Sequence, residues 1–224
     1  MPEFLLYLLL IAAFIFSIFT SVNVKSTFRK YNRMPSSRGV SAATIARQIL
    51  DSNGLYNVQV TRLSGELTDH YDPRTNTVAL SAPVYDSISV GAIGVAAHEV
   101  GHAIQYAKNY TPIKIRMAIL PVAQFGSSAW ILFFILGIVF NISLLRGVGI
   151  GLFAAIVLFQ LITLPVEFNA SRRALATIKD QGILFAEEYK GAKKTLTAAA
   201  MTYVASLAVA LLQLLRLIAS SRRD

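Results

Sequence analysis

Cysteine is absent from all 224 residues, which excludes disulfides, thiol catalysis and any metal site built on thiolate. A metal bound to this chain has to be held by imidazole and carboxylate. Imidazole is itself scarce: His70, His98 and His102 are the three histidines. Charge is low as well, at 15% of residues, and acidic residues are outnumbered 12 to 21 by Lys and Arg. Apolar residues reach 54% and mean hydropathy is +0.55, values that belong to membrane proteins rather than soluble domains. The net charge of +9 does not point to nucleic acid, because the basic residues flank apolar runs, where membrane topology accounts for them.

Those runs predict four spans. Phe4 to Val22 carries no charge and is long enough to cross a hydrocarbon core. It lacks a basic flank on its N-terminal side and an Ala-x-Ala site after it, so it reads as a retained anchor and not a signal peptide. A basic loop follows, with Lys25, Arg29, Lys30, Arg33 and Arg38. Residues 118–166 read as a transmembrane hairpin, with spans in Ile119–Phe140 and Val148–Val166 joined across Asn141–Gly147. A fourth span is expected over 196–218, between Lys190, Lys193 and Lys194 and the basic pair Arg222 and Arg223. The regions 23–117 and 167–197 hold 17 of the Lys and Arg residues, against four elsewhere. That bias predicts a multi-pass protein of the inner (plasma) membrane with both regions in the cytoplasm.

Region 23–117 has the marks of a small α+β unit. Pro35 to Gly39 reads as a linker and Ser41 as an N-cap. Ala42, Ile45, Ala46, Ile49 and Leu50 then form the apolar face of a helix ending near Gly54. Strands are expected around Val58 and Val60 and over Thr77–Ser81, after the turn residues Asp72, Pro73 and Asn76. The next helix, Val90 to Lys108, is thin, with Gly91, Gly94 and Gly101 among its small residues; these permit close packing or approach of a substrate.

That helix carries His98-Glu99-Val100-Gly101-His102. Histidines four apart lie on one helical face one turn apart, the separation at which two imidazoles share a tetrahedral Zn²⁺. Glu99, about 100° round the helix, is placed to act as general base. A catalytic site needs a third ligand. The hairpin returns the chain to the face it left, so Glu167 emerges beside the histidines, where an unpaired carboxylate at the membrane border is costly. A glutamate solvated among headgroups or paired with Arg172 or Arg173 is the bland alternative. His70, a loop histidine by its surroundings, has three readings: third ligand, hydrogen-bond donor to a developing oxyanion, or no catalytic part. Tyr71, Arg172 and Arg173 are further oxyanion candidates, and Asp69 and Asp72 either orient a histidine or shape a turn.

Three segments together carry a family resemblance: Leu67–Arg74, His98–Gln105 and Pro165–Arg173. The chain resembles the YugP-type bacterial membrane zinc metallopeptidases over essentially its whole length, and is more distantly similar to HtpX proteases and CAAX prenyl endopeptidases. The resemblance implies one zinc ion per chain on His98, His102 and Glu167. It sets Ala170 at the alanine of a Glu-x-x-Ala-Asp segment and Ser171 where those relatives carry aspartate. It also implies that the strand Thr77–Ser81 offers its edge to an extended peptide.

The expected protein is therefore a mainly α integral membrane protein with about four transmembrane helices and a small cytoplasmic α+β zincin-like catalytic domain. Its expected activity is hydrolysis of peptide bonds in membrane or misfolded proteins, as in protein quality control, with Glu99 as base and His70 assisting. Two alternatives are a site-2-type intramembrane protease, which lacks support because no Leu-Asp-Gly segment is present, and an inactive zinc-binding scaffold, which an intact Glu99 opposes. A homo-oligomer or a membrane scaffold partner is conceivable by analogy, with no residue that points to either.

Overall fold

The computed structural model describes residues 3–221. Its elements run α1 (Glu3–Asn32), α2 (Ala42–Ser52), β1 (Gln59–Leu63), β2 (His70–Asp72), β3 (Thr77–Ser81), α3 (Ala82–Tyr85), α4 (Val90–Ala107), α5 (Thr111–Val139), α6 (Ser143–Asp180) and α7 (Ala186–Ser221). They form two compact units. One is built from the residues up to Thr20, from Thr111–Pro165 and from Thr202 onward; the other from Ser21–Tyr110 and Val166–Met201.

The first unit is helical. Among the described residues four helices, each contributing at least part of its length to this unit, are long and apolar enough to cross a membrane: Phe4–Asn32, Thr111–Val139, Ser143–Asp180 and Ala186–Ser221. At most 28% of the most apolar stretch of any of them is buried within the protein, so Phe14, Ile15, Phe19, Val139 and their neighbours point outward. A surface of that kind suits lipid and is untenable in water. Inside, Phe153, Val157, Leu207, Ala210 and Leu217 form a small core against Trp130 and Phe134.

Each helix outruns the apolar run that predicts it. The basic stretch after the first run is not a loop but the end of α1, which continues to Asn32 with Arg29 and Lys30 in its last turn. Lys and Arg are good helix formers, and cations at a C-terminus oppose the helix dipole, so nothing stops the helix at the last apolar residue. The later runs lie within helices of 29, 38 and 36 residues, save for Phe140, one residue past the end of α5. The connection between α5 and α6 shrinks to Phe140–Ile142, closed by Asn141 in the left-handed conformation at φ 52°. Arg222 and Arg223 lie outside the described residues.

In the second unit, Ser41 caps α2 as expected, its side chain accepting from the Thr44 amide. The buried face of α2 (Ile45, Ile49, Leu50) packs on α4 in a core with Val78, Leu80, Val84, Ile93 and Val100. Each such side chain contributes roughly 1.5–3 kcal/mol by leaving water. The sheet order is β1-β3-β2, with β1 parallel and β2 antiparallel to β3. β3 falls where the sequence predicts it, but its edge is not free for a peptide. Gln59–Leu63 pairs along one side and His70–Asp72 along the other, and the Asp69 carboxylate accepts from the Ser81 amide just beyond. That expectation fails because His70-Tyr71-Asp72 is itself a strand. The four-residue helix α3 is also unannounced, since four residues are too few to show a period.

Candidate metal centre

The motif helix α4 is fixed at its start. Ser89 caps it by accepting from the Ala92 amide and donates its own hydroxyl to Asn32 Oδ1 at the end of α1, 2.6 Å away. The Val90 amide donates to Met34 O. From this anchor His98 and His102 point to one side, their ring centroids 4.8 Å apart.

Glu167 meets them from α6. Its Oε2 lies 3.2 Å from His98 Nε2 and 3.6 Å from His102 Nε2. The close approach of the two helices depends on Gly101, because a Cβ there would lie 2.7 Å from the Ala170 carbonyl oxygen. Ala170 is fully buried at this crossing. The small residues of α4 at this point therefore serve packing against α6, and the packing is what carries Glu167 to the histidines.

Polar side chains behind the ligands fix their orientation. Gln105, fully buried, donates through Nε2 to Val166 O (2.8 Å) and Asn169 Oδ1 (3.0 Å). Both are acceptors, so its Oε1 has to face His102 Nδ1, 3.0 Å away. His102 then carries its proton on Nδ1, which leaves the Nε2 lone pair toward Glu167. Asn169 is held in turn by Arg173 Nε at 2.7 Å. On the other histidine, Ser171 Oγ sits 3.1 Å from Nδ1. The Ser171 hydroxyl is thus the group placed to orient His98 from behind.

Two imidazole nitrogens and one carboxylate oxygen lie within 4.8 Å of one another, the group of potential ligands that the described residues bring together. Ligands about 2.0–2.1 Å from a tetrahedral zinc are about 3.3–3.4 Å apart, close to the His98–Glu167 and His102–Glu167 separations. The donor set, these two separations and the supported tautomer fit zinc. Replacing Gln105 with Leu removes the acceptor on His102 while keeping the volume; zinc affinity is expected to drop 10–100-fold, measured by competition with a chelating dye.

Protons compete for the same atoms. Burial pushes the His102 pKa down, but hydrogen bonding to Glu167 and the charges of Glu99 and Glu167 outweigh it, and the net shift is upward from 6.5. In metal-free protein the protonated His102 therefore adds stability below about pH 6.5, and this is lost as pH rises through the raised value. Zinc needs the neutral ring, so its contribution grows with pH. Melting with chelator and with zinc between pH 6 and 8 should show slopes of opposite sign for this contribution.

Glu99 is buried one residue from His98 and accepts no hydrogen bond among the described residues, which leaves its carboxylate available. His70 is brought elsewhere. It lies exposed on β2, its Nδ1 2.8 Å from Thr68 O, and is not in the metal group. Tyr71 donates to Asn76 Oδ1 and packs its ring at a tilt of 58° against Tyr106. Asp69 accepts from Ser81 at the end of β3 and Asp72 from Arg74 in the turn that follows β2, so both are engaged away from the ligand histidines. Gln105 is the functional residue that sequence reasoning missed. Its signal was a lone amide three residues after His102, on a helix that is otherwise mostly apolar outside the motif.

A His/His/Glu group able to hold a metal, in a chain with four helices apolar enough to cross a membrane, is what a known class of protein would show. A family model described as "Putative neutral zinc metallopeptidase" matches residues 6–222, and the chain belongs to that family. Within it, the chain is 49% identical over 210 residues to "Putative membrane protease YugP" of Bacillus subtilis (strain 168), covering 94% of this chain and 93% of that one. The resemblance carried by the three segments is thereby borne out. No solved structure matches the chain.

Proposed function

We propose that this protein is a membrane-embedded zinc metalloendopeptidase of the HExxH, gluzincin-like type, binding one zinc per chain. The observation that carries the reading is the convergence of His98, His102 and Glu167, with Glu99 adjacent and unengaged by hydrogen bonds. Zinc bound there supplies Lewis acidity toward water and the scissile carbonyl. The chain's own residues do the rest. Ser171 and Gln105 hold the imidazoles in register, Glu99 removes a proton from the attacking water, and the same carboxyl returns it to the leaving amine. The charge bias of the loops supports a cytoplasmic site at the inner membrane, acting on loops of membrane proteins or on misfolded ones. His70 keeps its place in the reading as a donor to the developing oxyanion only if substrate binding closes β2 toward the metal group.

Metal content and casein cleavage in detergent test the ligand set. Wild type should carry about one zinc and cut; Glu167→Ala should lose both, with an affinity loss beyond the 10–100-fold of an outer contact. Full zinc in Glu167→Ala would remove Glu167 from the set.

A further inference from the structure

Between α1 and α7, where the apolar runs end, lies a cleft of about 580 Å³ that the peptidase chemistry does not use. Lys30 from α1 and Lys190, Lys193 and Lys194 from α7 line it, and no carboxylate does among the described residues. All four lysines are exposed. Glu187 pairs with Lys190 at 2.6 Å, which leaves the other three ammonium groups in excess. Thr27 and Thr197 add hydroxyls, and Ala198 and Met201 give the same cleft an apolar part. The walls stand at the membrane border of the proposed topology. Asn23 follows the first apolar run directly, and Thr197 opens the fourth.

Like charges gathered in excess of their counter-charge repel, and an anion seated among them relieves that repulsion. A ligand that also fills the apolar part needs hydrocarbon next to its anionic group. The geometry points to an anionic phospholipid, bound by its phosphodiester headgroup between Lys30 and the Lys193–Lys194 pair with its acyl chains toward Met201. A second basic cleft, lined by Lys25, Arg29 and Arg33, is a weaker fit because Glu66 stands in its wall. The lipid cleft is joined to the motif helix. Gly191, between the lysines, lets Tyr31 approach so closely that a Cβ there would lie 2.6 Å from Tyr31 Cδ1 and 3.0 Å from Val90 Cγ1 at the start of α4. A lipid bridging α1 and α7 would thus brace the junction on which α4 is seated.

The proposal rests on the membrane reading of the four helices and is independent of the peptidase chemistry. Its test is lipid binding to the full chain in neutral detergent, followed by native mass spectrometry with phosphatidylglycerol, phosphatidylcholine and soluble glycerol phosphate. One phosphatidylglycerol should be retained per chain, at least tenfold more tightly than phosphatidylcholine. Lys193→Gln/Lys194→Gln should weaken it roughly tenfold or more, since a lysine near an anionic surface is worth about fivefold. Lys25→Gln/Arg29→Gln, which removes the same charge from the other cleft, should change it less than twofold. Equal losses in both pairs would mean diffuse attraction and overturn the site. Glycerol phosphate competing at the lipid's own concentration would make it a site for a free phosphate ester, and overturn the lipid.

Discussion

Glu99→Gln should abolish casein cleavage, lowering the rate by about 10²–10⁴, while zinc stays at the wild-type level. The substitution preserves size and removes only basicity. Glu99 holds no other residue in place through a hydrogen bond, so the variant should fold and melt like the parent when loaded with zinc. The result separates the base from the ligands: a ligand loss takes metal and activity together, a base loss takes activity alone. Cleavage by Glu99→Gln at the normal rate would end the assignment of this carboxylate.

Gly101→Ala tests the architecture instead of the chemistry. One methyl group is added to a buried helix, and it would stand 2.7 Å from a backbone oxygen of α6. A backbone carbonyl cannot rotate aside as a side-chain tip can, so the helices have to separate. Overpacking of this kind costs about 1–3 kcal/mol in stability. The larger effect should fall on metal binding, because separation draws Glu167 away from both histidines. Zinc affinity is expected to fall at least a hundredfold, read by dye competition, with helix content by circular dichroism unchanged. If Gly101→Ala bound zinc like the parent, the close crossing at Ala170 would not be what positions Glu167.

Much of this centre was legible before any coordinates. The His98–Glu99–His102 spacing needs only a helix, and Ser89 and the small residues after it provide one. Glu167 followed from the return of the hairpin together with the cost of a carboxylate at the membrane border. What escaped was tertiary. His70-Tyr71-Asp72 is three residues long and rich in polar groups, so it shows no alternation, and without it β3 looked like an open edge. Gln105 looked like any polar residue near a helix end until Val166 O and Asn169 fixed which way its amide faces. The helix ends also escaped, because hydropathy marks where lipid would stop and says nothing about where hydrogen bonding stops.

The interleaving of the second unit has a consequence in time. His98 and Glu167 stand 69 positions apart, and both apolar runs of the hairpin are made between them. At synthesis rates of roughly 5–20 residues per second, the nascent chain spends about 3–13 s with both histidines made and its third ligand not yet translated. During that interval the ribosome carries a chain whose metal cluster cannot close. Closure waits on the hairpin itself, so that a copy whose hairpin fails to form would stay unarmed.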